Sequence, residues 1–287
     1  MKALILEGGA MRSVHSAGAL KAFGEMGYSH DYFDFVFGAS AGACNAAYFL
    51  AGQTNEFWKM WSDTLLSKDF VNVKNILSRK KPVLNVDFAI EEVMLKRHPV
   101  NVKKILESNT KFYVIATNCS TGQAEYFLND KEETFFDVIK ASSSIPILYN
   151  KSVKIDGIEY MDGALSDSIP IKKAIELGAK EIYVLLTRHD GYRKRKTLAD
   201  SLSATIYKKY PKIRDSILNR HIEYNECLEV IENQKEGIEI NIIRPRYDLG
   251  ISRTTSDPSK LKSGFLIGYY DALKILKIKN QEHKIVC

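Results

Sequence analysis

Ser40 sits in the run Gly38-Ala39-Ser40-Ala41-Gly42, between the apolar segment Phe33–Phe37 and a helical pattern from about Gly42 to Ala51. A G-x-S-x-G run between a strand and a helix is the setting of a nucleophile elbow. A serine on so sharp a turn projects its hydroxyl outward, and small neighbours let strand and helix approach without clashes. The helix N-terminus that follows favours developing negative charge. The plainer reading is a small-residue turn in which Ser40 caps the helix.

Acyl transfer from such a serine needs backbone donors aimed at an oxyanion. Gly8-Gly9-Ala10-Met11-Arg12-Ser13 lies between an apolar first strand and a helix. Its glycines can expose amide N–H groups toward a ligand. A dinucleotide loop would want G-x-G-x-x-G, and a phosphate loop would want a Lys-Ser/Thr pair, so the spacing speaks against both. A glycine-rich turn without a ligand is the simplest alternative. Arg12 could bind a lipid phosphate or tie the loop down by hydrogen bonds.

A serine also needs a base. Asp162-Gly163-Ala164 follows a hairpin whose own turn is Asp156-Gly157. Asp-Gly is a common turn pair, and spacing alone does not separate the two. Serine nucleophiles normally recruit histidine. His189, just past the strand Glu181–Leu186, is therefore a competitor for the role of Asp162.

The elements that must position these groups alternate. Lys2–Glu7, Phe33–Phe37, Phe112–Thr117 and Glu181–Leu186 read as strands, with helices over Val14–Gly27, Glu133–Ser142, Pro170–Gly178 and Pro258–Leu276. Val153–Met161 reads as a hairpin and Ile238–Ile243 as a late strand. The predicted fold class is α/β, a mostly parallel central sheet flanked by helices in three layers, with helical insertions. The 287 residues are read as one domain, 1–287, with a helical cap over 55–105 and a helical insertion over 188–236. The cap holds Trp58, Trp61, Phe70 and the basic run Arg79-Lys80-Lys81. Ordinary helix core is the plain reading of the two tryptophans.

Composition narrows the rest. The four cysteines lie far apart and form no close ligand pair, so neither zinc nor a disulfide framework is expected. No signal-peptide pattern and no membrane-length apolar stretch are visible, and the chain is expected in the cytoplasm. The formal net charge of +6 permits contact with anionic surfaces. Arg188, Arg193, Lys194, Arg195 and Lys196 could make peripheral contact with an anionic membrane, or form a solvated turn.

As a whole the chain resembles the patatin-like phospholipase family, with the best match in a bacterial branch. The resemblance rests on the loop Gly8–Ser13, the elbow Gly38–Gly42 and the triplet Asp162–Ala164, in the family's order. Ala141-Ser142-Ser143-Ser144-Ile145-Pro146, Ile169-Pro170 and Leu177-Gly178-Ala179 add to it. It is firm over residues 1–190 and weaker beyond. It implies a three-layer α/β fold and a Ser40–Asp162 dyad without histidine. It also implies an oxyanion hole at Gly8–Met11, support from Arg12, Gly38, Gly42 and Gly163, and no metal or cofactor. The expected substrate is a lipid or simpler carboxylic ester; no nucleic-acid partner is expected. The family loop is G-G-G-x-R-G, and here Ala10 and Ser13 replace glycines. A non-catalytic lipid-binding protein on the same fold is the alternative from another class, and a nucleotide-binding α/β protein a third.

Overall fold

Apolar side chains on both faces of the first strand set the layers. In β1 (Lys2–Leu6), Leu4 and Leu6 join one hydrophobic core while Ala3 and Ile5 join the other. A strand covered on both faces reads as a continuous apolar run, which is what the sequence shows. The computed structural model describes residues 1–62, 66–78, 80–128 and 130–286. It places β1 between β2 (Phe35–Ala39) and β7 (Glu181–Leu185), both parallel to it. β3 (Lys111–Asn118) continues the parallel sheet beside β2, and β8 (Glu239–Ile243) does so beside β7. The antiparallel part consists of β4 (Ala124–Leu128) and β6 (Ile158–Asp162), both on β3, with β5 (Val153–Ile155) on β6. The fold is thus a mostly parallel α/β sheet flanked by helices, as expected.

α1 (Val14–Glu25), α2 (Ala41–Leu50), α6 (Phe135–Ser142) and α10 (Pro258–Val286) bury their apolar sides in one core. α7 (Ile171–Glu176) and α9 (Pro211–Glu232) cover the other face. α8 (Leu198–Ile206) and part of α9 close a third, smaller cluster around Cys119 and Met161. α1 and α10 touch along glycines: a Cβ on Gly18 would lie 1.9 Å from the Phe265 carbonyl oxygen, and one on Gly268 1.9 Å from that of His15.

Two segments differ from the sequence reading. β4 was not anticipated, because its residues are half-buried at best and lack a clean alternation. The last helix runs past Leu276 to Val286, where apolar spacing gives out. The 55–105 segment is helical and irregular, as read from its sequence. It comprises a 3-10 turn (Thr54–Glu56), α3 (Phe57–Met60), α4 (Asn75–Ser78), a π-helix (Phe88–Arg97), α5 (Val102–Leu106) and an isolated bridge between Val71 and Leu84. Asp63–Leu65 of the cap, and Arg79 of its basic run, lie outside the described residues.

Candidate active site

Ser40 follows β2 directly, with φ 55° and ψ −130°. That left-handed region is rare for a residue with a side chain, and strain of this kind concentrates at functional turns. The flanking glycines make the turn possible. A Cβ on Gly42 would lie 2.4 Å from the Leu6 carbonyl oxygen, and one on Gly38 2.6 Å from the Ala43 Cα.

The register of β3 brings the second group in. Ile115 pairs with Ala39, and the next residue, Ala116, pairs with Asp162. The end of β2 and the end of β6 therefore meet at one point of β3. There the Ser40 hydroxyl donates to Asp162 Oδ2 at 2.9 Å, and the Ala164 N–H donates to Oδ1 at 2.8 Å. Gly163 lets the chain turn away, since a Cβ there would lie 2.1 Å from the Ile115 carbonyl oxygen. Asp156, the other candidate, stays in its hairpin turn with φ 49°. His189 donates from Nδ1 to its neighbour's carbonyl, Asp190 O, at 2.6 Å, and its ring meets Tyr192. The structure brings Ser40 and Asp162 together and leaves His189 engaged elsewhere.

Burial is the largest influence on Asp162 and pushes its pKa up. The bonds from Ala164 and Ser40, then the fields of Arg253 and Arg220, pull it back. Burial disfavours the charged carboxylate, while donors and cations favour it.

The loop after β1 lies against this pair. A Cβ on Gly8 would be 2.8 Å from the Ser40 Cβ. Ala10 stands at φ 49°, the conformation a glycine would adopt freely, and Ala10–Ser13 form a 3-10 turn. The Met11 N–H points to the Arg253 carbonyl at 3.5 Å, a long bond. Among the described residues the N–H groups of Gly8, Gly9 and Ala10 have no protein acceptor. So Met11, one of the four expected donors, differs from the other three. Arg12 is buried, and its Nε reaches Thr187 Oγ1 at 3.4 Å.

Several residues without an expected role hold the site together. The Ser40 N–H donates to Ser142 Oγ at 2.8 Å, and the Asp162 N–H to the Ser144 carbonyl at 3.2 Å. Thr117 Oγ1 donates to the Asp162 carbonyl at 2.8 Å, and Asn45 Nδ2 to the Ser13 carbonyl at 2.9 Å. The serine run stood out in the sequence by resemblance, without a function; Thr117 and Asn45 carried no signal.

Beside the elbow lies an apolar cavity of about 50 Å³, with Ala10, Ala41 and Cys44 on one side and Met60, Trp61, Val93 and Met94 of the cap on the other. Trp61 therefore faces this cavity, whereas Trp58 packs on Phe265 of α10. Burial pushes the Cys44 thiol up to about 11, so it stands here as an apolar, protonated group. A larger groove of about 360 Å³ runs past Lys80, Lys81 and Tyr149, but neither Ser40 nor Asp162 lines it.

Asp167, Glu223 and Cys227 converge, with ligand atoms within 4.8 Å of one another, although nothing in their sequence spacing announced it. Tyr126 donates to Asp167 at 2.6 Å and the Cys227 thiol to Glu223 at 2.8 Å. Burial, then the charge of Asp167, pushes Glu223 up to about 7. The basic cluster after β7 is split: Arg193 pairs with Glu232, and Lys194 turns in over the Tyr224 ring at 4.2 Å. Among the described residues no helix is long and apolar enough to cross a membrane.

The chain is similar to the uncharacterized protein YjjU of Escherichia coli K12, 32% identical over 188 residues, which is 64% of this chain and 51% of that protein. It thus spans about half the length of that relative. In fold it is similar to VipD from Legionella pneumophila, with a TM-score of 0.52 and 14% identity, covering 96% of this chain and 66% of that one. Residues 210–280 match a domain of unknown function (DUF6363). Residues 4–175, which include the glycine loop, the elbow and Asp162, match the patatin-like phospholipase model, so the chain belongs to the patatin-like phospholipase family.

Proposed function

We propose that this protein is a serine acyl-hydrolase that cleaves carboxylic ester bonds of lipids through a Ser40–Asp162 dyad. The observation that carries the reading is the 2.9 Å bond from the Ser40 hydroxyl to the buried Asp162 carboxylate at a strained elbow. That distance is within reach of direct proton transfer.

In this reading Ser40 Oγ attacks the ester carbonyl while its proton passes to Asp162. The N–H groups of Gly8, Gly9 and Ala10 receive the oxyanion. The alcohol leaves with the proton, and the acyl group stays on Ser40. Water, deprotonated by Asp162, then releases the fatty acid and restores the serine. The apolar cavity takes the start of the acyl chain. At about 50 Å³ it holds only a short stretch, so a long chain enters as the cap moves outward. No step calls for a metal or cofactor.

The whole chain, 1–287, acts as one unit in this reading, with the cap and the 188–236 insertion as its site-covering parts. Peripheral contact with an anionic membrane belongs to the same reading, with fewer charges than the sequence offered. Arg195 and Lys196 remain exposed, next to Leu198, which is 85% exposed. A cytoplasmic location is the setting that fits free thiols at half-buried Cys44 and buried Cys119 and Cys227.

Ser40→Ala is expected to abolish hydrolysis of a short nitrophenyl ester and labelling by a fluorophosphonate probe, with circular dichroism unchanged. Wild-type turnover in that variant would remove Ser40 as nucleophile. Failure of the wild-type protein to label would favour the non-catalytic lipid-binding alternative.

A further inference from the structure

Behind the dyad lies a second cavity, about 20 Å³, lined by Arg12, Arg188, Lys194 and Arg253. It shares walls with the reactive centre through Gly8 and Ala164. Gly8 abuts Ser40, and Ala164 donates to Asp162. The four cations come from three connections: Arg12 from the loop after β1, Arg188 and Lys194 from the stretch between β7 and α8, and Arg253 from the loop after β8. Ligands of α/β sheets gather where such loops converge at the carboxyl ends of the strands.

Buried charges are normally paired. Of these four, Arg12 is buried and Arg188, Lys194 and Arg253 are half-buried, and among the described residues none of them forms an ion pair. Arg12 is only 7% exposed and reaches no carboxylate. Arg188 lies over the Tyr192 ring at 4.5 Å, and Lys194 over Tyr224 at 4.2 Å. Glu7 is the one carboxylate lining the cavity, and it is already engaged. Its oxygens accept from the Thr187 N–H at 2.6 Å and the Tyr224 hydroxyl at 3.1 Å. Asp162 is likewise occupied by Ser40 and Ala164. Arg220, nearby, pairs with Asp200, yet its Nε is buried without a partner. Burial and mutual repulsion push Lys194 down to about 7 and Arg253 to about 9, and lower Arg12 as well. The folded protein thus gathers four cationic side chains around one carboxylate, Glu7, whose charge offsets only part of theirs.

We infer that this cavity is a subsite for the phosphate group of a bound molecule, placed so that a phosphate-bearing lipid presents its ester to Ser40. Three guanidinium forks and an ammonium arriving from different directions suit a tetrahedral oxyanion with several acceptor oxygens better than a planar carboxylate. In a glycerophospholipid the phosphate and the acyl ester sit on one short glycerol, so a phosphate here keeps the ester beside the elbow. At about 20 Å³ the cavity is tight, so in this proposal Lys194 swings off the Tyr224 ring as the phosphate enters. Arg253 belongs to the 210–280 segment, which thereby contributes to the subsite. The substrate half of the inference rests on the hydrolase reading; the phosphate half does not.

The test uses the full chain carrying Ser40→Ala, with inorganic phosphate as probe and chloride at matched ionic strength as control. Titration calorimetry is expected to show saturable phosphate binding, weakened at least about tenfold in the added double variant Lys194→Gln/Arg253→Gln. Phosphate should also raise the melting temperature of the parent more than that of the variant. Lys194→Met serves alone if the double variant does not fold. No phosphate binding, or binding indifferent to these substitutions, overturns the subsite. With Ser40 intact, kcat/KM for a 1-acylglycerol 3-phosphate is compared with the matching monoacylglycerol. A preference for the phosphate ester, competed away by inorganic phosphate, places the group on the lipid. Phosphate binding with equal rates for the two esters identifies free phosphate as the ligand and overturns the lipid half. No turnover of any ester, with phosphate binding intact, overturns the hydrolase reading and leaves the subsite standing.

Discussion

The Asp162 carboxylate is asked to be both buried and basic. Burial raises its pKa and thereby strengthens it as a base, while the Ala164 and Ser40 donors and the Arg253 and Arg220 fields keep it ionisable. The base works only when ionised, so activity must rise with pH through the Asp162 pKa. The acidic limb of kcat/KM is expected above the ordinary aspartate value of about 3.9. A limb at or below that value would contradict the burial argument. Asp162→Asn keeps the shape and removes the basicity, and turnover should fall by at least the ~10²-fold of a positioned general base. His189→Gln should leave turnover nearly unchanged, since that ring faces Asp190 and Tyr192. The opposite order of damage in folded variants would replace the dyad by a Ser–His arrangement. Ala10 shows the same tension on a smaller scale. It holds φ 49° where the family loop has glycine, at a cost of about 1–2 kcal/mol.

Among the elements, the 55–105 segment lines the cavity beside the elbow through Met60, Trp61, Val93 and Met94. The Phe88–Arg97 segment is a π-helix, a form that recurs at functional sites. Its extra residue per turn sets Ala89, Val93 and Met94 against the cavity together. Val93→Phe would fill that space. Overpacking should cost about 1–3 kcal/mol of stability. Excluding two methylenes from contact, at about 0.8 kcal/mol each, should lower kcat/KM for long-chain esters about tenfold or more relative to short ones. Nitrophenyl esters of graded chain length would read this out. An equal loss at every length would separate the cavity from acyl-chain binding.

At the level of the whole molecule, the 210–280 segment is woven into the sheet rather than appended to it. β8 pairs with β7 in parallel, α9 covers one face, and α10 lies on α1 at glycine contact. A side chain at Gly268 meets the His15 carbonyl oxygen, backbone that cannot step aside. Gly268→Ala is therefore expected to destabilise the entire chain by about 1–3 kcal/mol or more. Calorimetry should show one cooperative transition at a lower temperature, with esterase activity lost along it. Two separate transitions, with activity surviving the first, would make 210–280 an independent unit.

What the sequence determined by itself was local. Strand, sharp turn and helix around Ser40 lie within a few residues, and the small size of Gly38 and Gly42 states how close the backbones must come. The loop Gly8–Ser13 and the buried runs of β1, β2, β3 and β7 are legible for the same reason: their signals lie in neighbouring residues. β4 was hidden, because a half-exposed strand carries no clean alternation. Residue spacing left Asp156 and Asp162 unseparated and only the resemblance named Asp162; the structure puts Asp162 rather than Asp156 beside Ser40, since that depends on which residues of β3 face the ends of β2 and β6. It alone set His189 aside, gave Ser142 and Thr117 their partners, and gathered Asp167, Glu223 and Cys227. It also divided one basic run, sending Arg193 to Glu232 and Lys194 inward beside Arg12 and Arg253. Charge is written residue by residue in a sequence, but whether it meets a partner, solvent or another charge is settled by segments far apart in the chain.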